Sequence, residues 1–141
     1  MRVTTTLFLF ALLSFILVGC SSSSQVEVNC DAFQENNHIT DEIAVSAGDE
    51  FQVTLCSNLT TGYEWSTDAL IADTEVVKQI AHEFVMAADL ETPPPPGTPG
   101  VEIWTFSALE QGSTTITFDY SRPWEGGEKN TWTLNLVATV E

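Results

Sequence analysis

The sequence predicts an all-β fold: two packed antiparallel sheets built from six or seven short strands. Three observations carry this. Apolar and polar residues alternate with period two over most of the chain, as in strands with one buried face. Turn residues punctuate these runs at regular intervals. The 141 residues are 43% hydrophobic and 10% aromatic, enough for a packed core and too few for two domains.

The first segment stands apart from that fold. Residues 1–19 have a positive start at Arg2 and an almost unbroken apolar run over 7–18. A helix of that run would span only about 18 Å, short of a bilayer core. A signal peptide fits better. The run ends in Leu17-Val18-Gly19-Cys20, which resembles the lipobox of bacterial lipoprotein precursors. That resemblance implies cleavage before Cys20 and lipid on its thiol. It places the protein in the cell envelope, lipid-anchored to a membrane and facing the periplasm or exterior. Ser21 after the cysteine resembles the pattern of lipoproteins sent to an outer membrane. The serines at 21–24 read as a flexible tether, and residues 20–35 as tether and N-terminal segment before a domain over 36–141.

With Cys20 lipidated, Cys30 and Cys56 remain as an even pair in an oxidising compartment. A disulfide between them would contribute about 3–4 kcal/mol in the loop-entropy account; two free thiols are the alternative. In Phe51-Gln52-Val53-Thr54-Leu55-Cys56 the cysteine lies on the face opposite Phe51, Val53 and Leu55. A bridge would therefore sit on the outer face and clamp the N-terminal segment across it.

The strands follow in order. Ile39, Ile43 and Val45 share a face, then Ala47-Gly48-Asp49 turns the chain. Phe51, Val53 and Leu55 form the next inward row, with Tyr63 and Trp65 after a polar break. Residues 76–86 are ambiguous. Val76, Val77, Ile80, Ala81, Phe84 and Val85 recur as in an amphipathic helix, whereas Val76, Ile80, Phe84 and Met86 fit a strand face that also carries Lys78 and His82. The all-β surroundings favour the strand. Residues 92–100 hold Pro93–Pro96 and then Gly97-Thr98-Pro99-Gly100, a stiff segment without backbone donors and hence a protruding loop. Trp104, Phe106 and Ala108 precede a Gln111-Gly112 turn; Ile116, Phe118 and Tyr120 form another row; Trp132, Leu134, Leu136, Ala138 and Val140 close the domain.

Charge and motifs narrow the function. Lys and Arg number 4 against 20 Asp and Glu, a net charge of −16, which disfavours nucleic acid as a partner. His38 and His82 have no Cys or carboxylate at ligand spacing, so no metal site is expected. Phosphate-binding, dinucleotide and nucleophile-elbow motifs are absent from the sequence. No catalytic residue, cofactor or enzyme activity is expected.

Three loops do not look like ordinary turns. Asn58-Leu59-Thr60-Thr61-Gly62-Tyr63 joins two strands with a self-bonding Asn and Thr pair and a Gly free to take positive φ. Gly97-Thr98-Pro99-Gly100 follows the prolines. Arg122-Pro123-Trp124 opens the last loop, ahead of Glu125-Gly126-Gly127, and presents a partly exposed Trp beside an Arg, residue types that dominate interface energies. All three can fall at one end of a sandwich.

In that order the three segments resemble chagasin-type inhibitors of papain-like cysteine proteases, whose motifs are N-P-T-T-G-[YF], G-x-G-G and R-P-W. The resemblance spans roughly residues 36–140. It implies an immunoglobulin-like β-sandwich of six to eight strands, a monomer, and a wedge of three loops that occludes a papain-like protease without covalent chemistry. By position, Thr60 and Thr61 would sit at the wedge tip near the protease's catalytic cysteine. Arg122 and Trp124 would pack on the primed side. Gly97 and Gly100 would let the middle loop approach the other side closely. Two residues depart from the pattern. Leu59 replaces the family Pro and leaves the tip one fixed φ short; Pro99 replaces the second Gly and stiffens the middle loop. The competing class is a surface-anchored adhesion or carbohydrate-binding module with Tyr63 and Trp124 stacked on sugars.

The lipobox reading generates the first test. Cys20→Ala should abolish metabolic labelling with fatty acid and leave soluble or unprocessed protein; undiminished labelling would refute it.

Overall fold

The structure is a computed structural model and describes residues 24–86 and 97–141. Cys20 and Pro93–Pro96 lie outside the described residues. Among the described residues, nine strands and one short α-helix follow in chain order: β1 (Ser24–Val28), α1 (Cys30–Glu35), β2 (His38–Val45), β3 (Glu50–Ser57), β4 (Glu64–Trp65), β5 (Leu70–Ile71), β6 (Val77–Met86), β7 (Gly100–Ala108), β8 (Gly112–Ser121) and β9 (Trp132–Val140). One sheet runs β1-β3-β7-β6 and the other β2-β9-β8-β4, with β5 also on β8. Seven strands are long and two have only two residues each.

Alternation in the sequence becomes alternation of burial. Along β7 every second residue from Gly100 to Ala108 is buried, and β8 and β9 behave likewise. Phe51, Val53, Leu55, Trp104 and Phe106 of one sheet face Ile116, Phe118, Leu134 and Leu136 of the other, each at most 1% exposed. Their rings interlock: Trp104 meets Phe118 edge-on at 5.0 Å, and Phe106 meets the same ring at 6.0 Å. Fully buried side chains of this size contribute about 1.5–3 kcal/mol each.

The sandwich is not purely antiparallel. β1 pairs with β3 in parallel, and β2 pairs with β9 in parallel. The chain enters along one sheet, crosses as α1 and continues on the other. Val26, Val28 and Phe33, which precede residue 36, belong to the core. Asn29 caps α1 by accepting from the Ala32 N–H at 2.9 Å. Phe33 is fully buried, its centroid 5.2 Å from those of both Trp65 and Trp132.

Cys30 and Cys56 form a disulfide with their Cα atoms 5.2 Å apart. Cys56 pairs across the ladder with Val101 on the outward face, as its parity predicted. The N-terminal segment that crosses it leaves it only 5% exposed.

Residues 77–86 are strand, and the ambiguity there has a structural cause. The register of β6 against β7 shifts between Gln79 and Ala81, a bulge at Ile80 that inserts one residue and reverses the parity. Val77 and Gln79 pair with inward residues before it; His82 and Phe84 do so after it. The expected row Val76, Ile80, Phe84, Met86 is therefore split by the bulge: Phe84 and Met86 pair with inward positions, whereas Ile80 is 48% exposed, and Lys78 points outward while His82 points in.

Phe33 gives a direct test of the α1 crossing. Phe33→Ala should lower the unfolding free energy by about 3–5 kcal/mol in urea titrations. A loss below about 1 kcal/mol, the scale of a surface substitution, would mean that α1 is dispensable.

Candidate functional site

Strand directions bring the three unusual loops to one end. β3 delivers the first loop, the β6–β7 connection carries the second and β8–β9 the third. The loops touch. Asn58 Nδ2 donates to the Gly97 carbonyl at 3.1 Å, and the Gly97 N–H donates to Thr60 Oγ1 at 3.0 Å. Gly62 lies against the indole of Trp124, so close that a Cβ there would stand 2.9 Å from its ring.

The first loop is built around Asn58. Its Oδ1 accepts from the Thr60 N–H at 3.2 Å and the Thr60 hydroxyl at 2.6 Å. Its carbonyl accepts from the Thr61 hydroxyl at 2.7 Å and the Thr61 N–H at 3.1 Å. Leu59–Thr61 thus forms a single 3₁₀ turn, closed by Gly62 at φ +78°. Below it, the Asn58 N–H donates to the Tyr120 hydroxyl at 3.1 Å. Leu59, Thr60 and Thr61 are exposed at the tip. The Thr60 hydroxyl is engaged on both sides, by Asn58 and Gly97, and so shapes the loop.

In the second loop the two glycines differ in their surroundings. Gly97 is exposed, with φ +90° and open space where a side chain would be. Gly100 instead is buried at the start of β7. A Cβ there would meet Phe84 at 2.5 Å, so the missing side chain makes room for that ring. Thr98 is half-buried and Pro99 exposed.

The third loop is held by groups that sequence reasoning missed. Arg122 lies over the Tyr63 ring, 4.5 Å from its centroid, and 5.6 Å from that of Trp124. Tyr63 donates its hydroxyl to the Glu128 carboxylate, and this bond, aided by burial, holds the phenol above its ordinary pKa. The Arg122 N–H donates to the Glu128 carbonyl at 2.8 Å. Lys129 Nζ donates to the carbonyls of Arg122 and Trp124. Glu128 had no signal in the sequence. Lys129 had a weak one, as one of only four Lys and Arg beside a Gly-rich loop. Trp124 remains 51% exposed, and Pro123 is exposed beside it. All thirteen predicted loop residues lie at this end, though Gly100 is covered there.

The arrangement has the chemistry of a contact surface: a rigid tip with exposed Leu and Thr, flanked by a half-exposed Trp on a cation–π stack. The family model of the chagasin family peptidase inhibitor I42 matches residues 44–136, which include all three loops. Amoebiasin-2 of Entamoeba histolytica is 29% identical over 111 residues, covering 76% of this chain and 81% of that protein. Among solved structures, the cysteine protease inhibitor EhICP2 of Entamoeba histolytica superposes with a TM-score of 0.59 at 22% identity, over 84% of this chain and 97% of that one. PbICP-C, solved in complex with falcipain-2, gives 0.59 at 16% identity, over 84% and 100%.

Gly62 tests the loop geometry. Gly62→Ala should destabilise the fold by about 1–2 kcal/mol, the left-handed penalty for a residue with a Cβ, and displace Trp124; chemical denaturation and indole fluorescence report the two effects. With the three loops, the two-sheet sandwich and the family match together, the chain belongs to the chagasin family of peptidase inhibitors and is not an enzyme.

Proposed function

We propose that the protein is a reversible, tight-binding inhibitor of papain-like cysteine proteases that blocks the cleft with its three loops. The observation that carries this is their convergence into one hydrogen-bonded edge with Trp124 half-exposed beside the tip. Thr60 and Thr61 enter nearest the protease's nucleophile, Arg122 and Trp124 pack on the primed side, and Gly97 faces the other wall. The capture of falcipain-2 by PbICP-C supports a protease of that class as partner.

Preorganisation explains why such a wedge binds. The loop hydrogen bonds are made before the partner arrives, so little ordering entropy remains to be lost on binding. The bonds of Asn58 also do part of what the family Pro would do at position 59. A carbohydrate-stacking role is disfavoured at Tyr63, because Tyr120 and Arg122 both pack against its ring. The anchor at Cys20 belongs to the same proposal: it would hold a monomeric inhibitor on a membrane of the cell envelope, facing the periplasm or exterior.

Trp124→Ala should weaken inhibition of papain by about 30- to 1,000-fold, or roughly 2–4 kcal/mol. The loss should fall on dissociation with the melting temperature nearly unchanged. Folded wild-type protein that leaves every papain-like enzyme fully active at micromolar concentration would end the proposal.

A further inference from the structure

A polar cluster lies under the loops and takes no part in the exposed edge. Glu102 stands at an inward position of β7 and is 3% exposed. Its Oε1 accepts from the Ser57 hydroxyl at 2.6 Å, and its Oε2 lies 2.8 Å from His82 Nε2. Ser57 is fully buried. His82 is half-buried, its ring stacked on Trp104 at 4.6 Å. The carboxylate stands in the middle, between hydroxyl and imidazole. Imidazole does not bond the hydroxyl, so the cluster is no nucleophile relay.

The three side chains come from adjacent strands near the ends that feed the first and second loops. Ser57 immediately precedes Asn58, Glu102 lies two residues after Gly100, and β6 carries His82 toward the second loop. Ser57 and Gly100 are the last ladder pair of β3 and β7. Beyond that pair, the bonds joining the two loops run through the side chains of Asn58 and Thr60. Burying a carboxylate is a poor way to stabilise a fold, since apolar replacements of similar volume are often neutral or better. What a carboxylate adds is direction, because its hydrogen bonds fix the orientation of Ser57 and hence the exit of the chain into Asn58.

We propose that Glu102 is a positioning residue for inhibition, which through Ser57 and His82 sets the separation of the first and second loops. This rests on the inhibitor reading above. The test is the double variant Ser57→Ala with Glu102→Leu, which removes the buried carboxylate together with the hydroxyl it satisfies. It should melt at or above the wild-type temperature, dissociate from papain roughly tenfold faster, as expected for a lost hydrogen bond to a charged group, and exchange the amides of Asn58, Thr60 and Gly97 faster. Glu102→Gln keeps an acceptor for Ser57 and should restore slow dissociation and slow exchange. Unchanged dissociation and exchange in the folded double variant would overturn the proposal. So would a double variant that fails to fold, because the cluster would then be holding the sandwich itself. Amide exchange needs no protease. It therefore decides the positioning role even where wild-type protein leaves papain active, the outcome that sinks the inhibitor reading instead.

Discussion

The hydroxyl of Tyr120 is the joint between core and loops. Its ring belongs to the buried face of β8, stacked on Trp132 at 4.9 Å and close to Trp65 and Tyr63. Its oxygen accepts the N–H of Asn58 at 3.1 Å. A buried phenol needs a partner for its polar end, and a loop leaving a strand needs one for its first free amide. One hydrogen bond answers both demands. Everything above Asn58 follows from where that residue is held: the 3₁₀ turn, the contact with Gly97, and the seat of Gly62 under Trp124.

Around that joint, aromatic rings take the place of the small aliphatic side chains that could close the end of a sandwich. Phe33, Tyr63, Trp65, Tyr120 and Trp132 form a continuous stack from α1 to the first loop. Arg122 extends it outward to Trp124 by cation–π contact. The charge distribution fits this division. The chain carries a net charge of −16, yet two of its four basic residues, Arg122 and Lys129, sit in the third loop, where they bind rings and carbonyls. Surface acidity keeps the body solvated, while these two cations hold the third loop to rings and carbonyls.

Much of this was legible in the sequence where the chain obeys one period. The inward rows of β3, β7, β8 and β9 could be read residue by residue, because strict alternation leaves one solution. The three loops were legible as motifs, and the structure brings them to one end. What escaped did so for physical reasons. The bulge at Ile80 breaks the period of β6 halfway, so a helix and a regular strand template each fit in part. The six residues of α1 are fewer than two turns, too short for helical periodicity to register, and Phe33 looks in isolation like any stray apolar residue. Parallel pairing of β1 and β2 depends on partners far along the chain. Gly100 reads as a loop glycine until Phe84 is seen lying across it. Glu102 could have been flagged, since it shares the parity of Trp104, Phe106 and Ala108, and a carboxylate in such a row demands buried partners.

The parallel pairing of β1 with β3 fixes the end of the sandwich at which the chain enters. Ser24 pairs with Phe51 and Val28 with Leu55, so the chain enters the sandwich at the end remote from the loops and travels toward them. An anchor at Cys20, as proposed above, would lie only four residues before that entry. The eight residues of β3 separate the two ends by roughly 26 Å at the usual strand rise. A membrane-held copy would thus be tethered at the end of the sandwich opposite its loops.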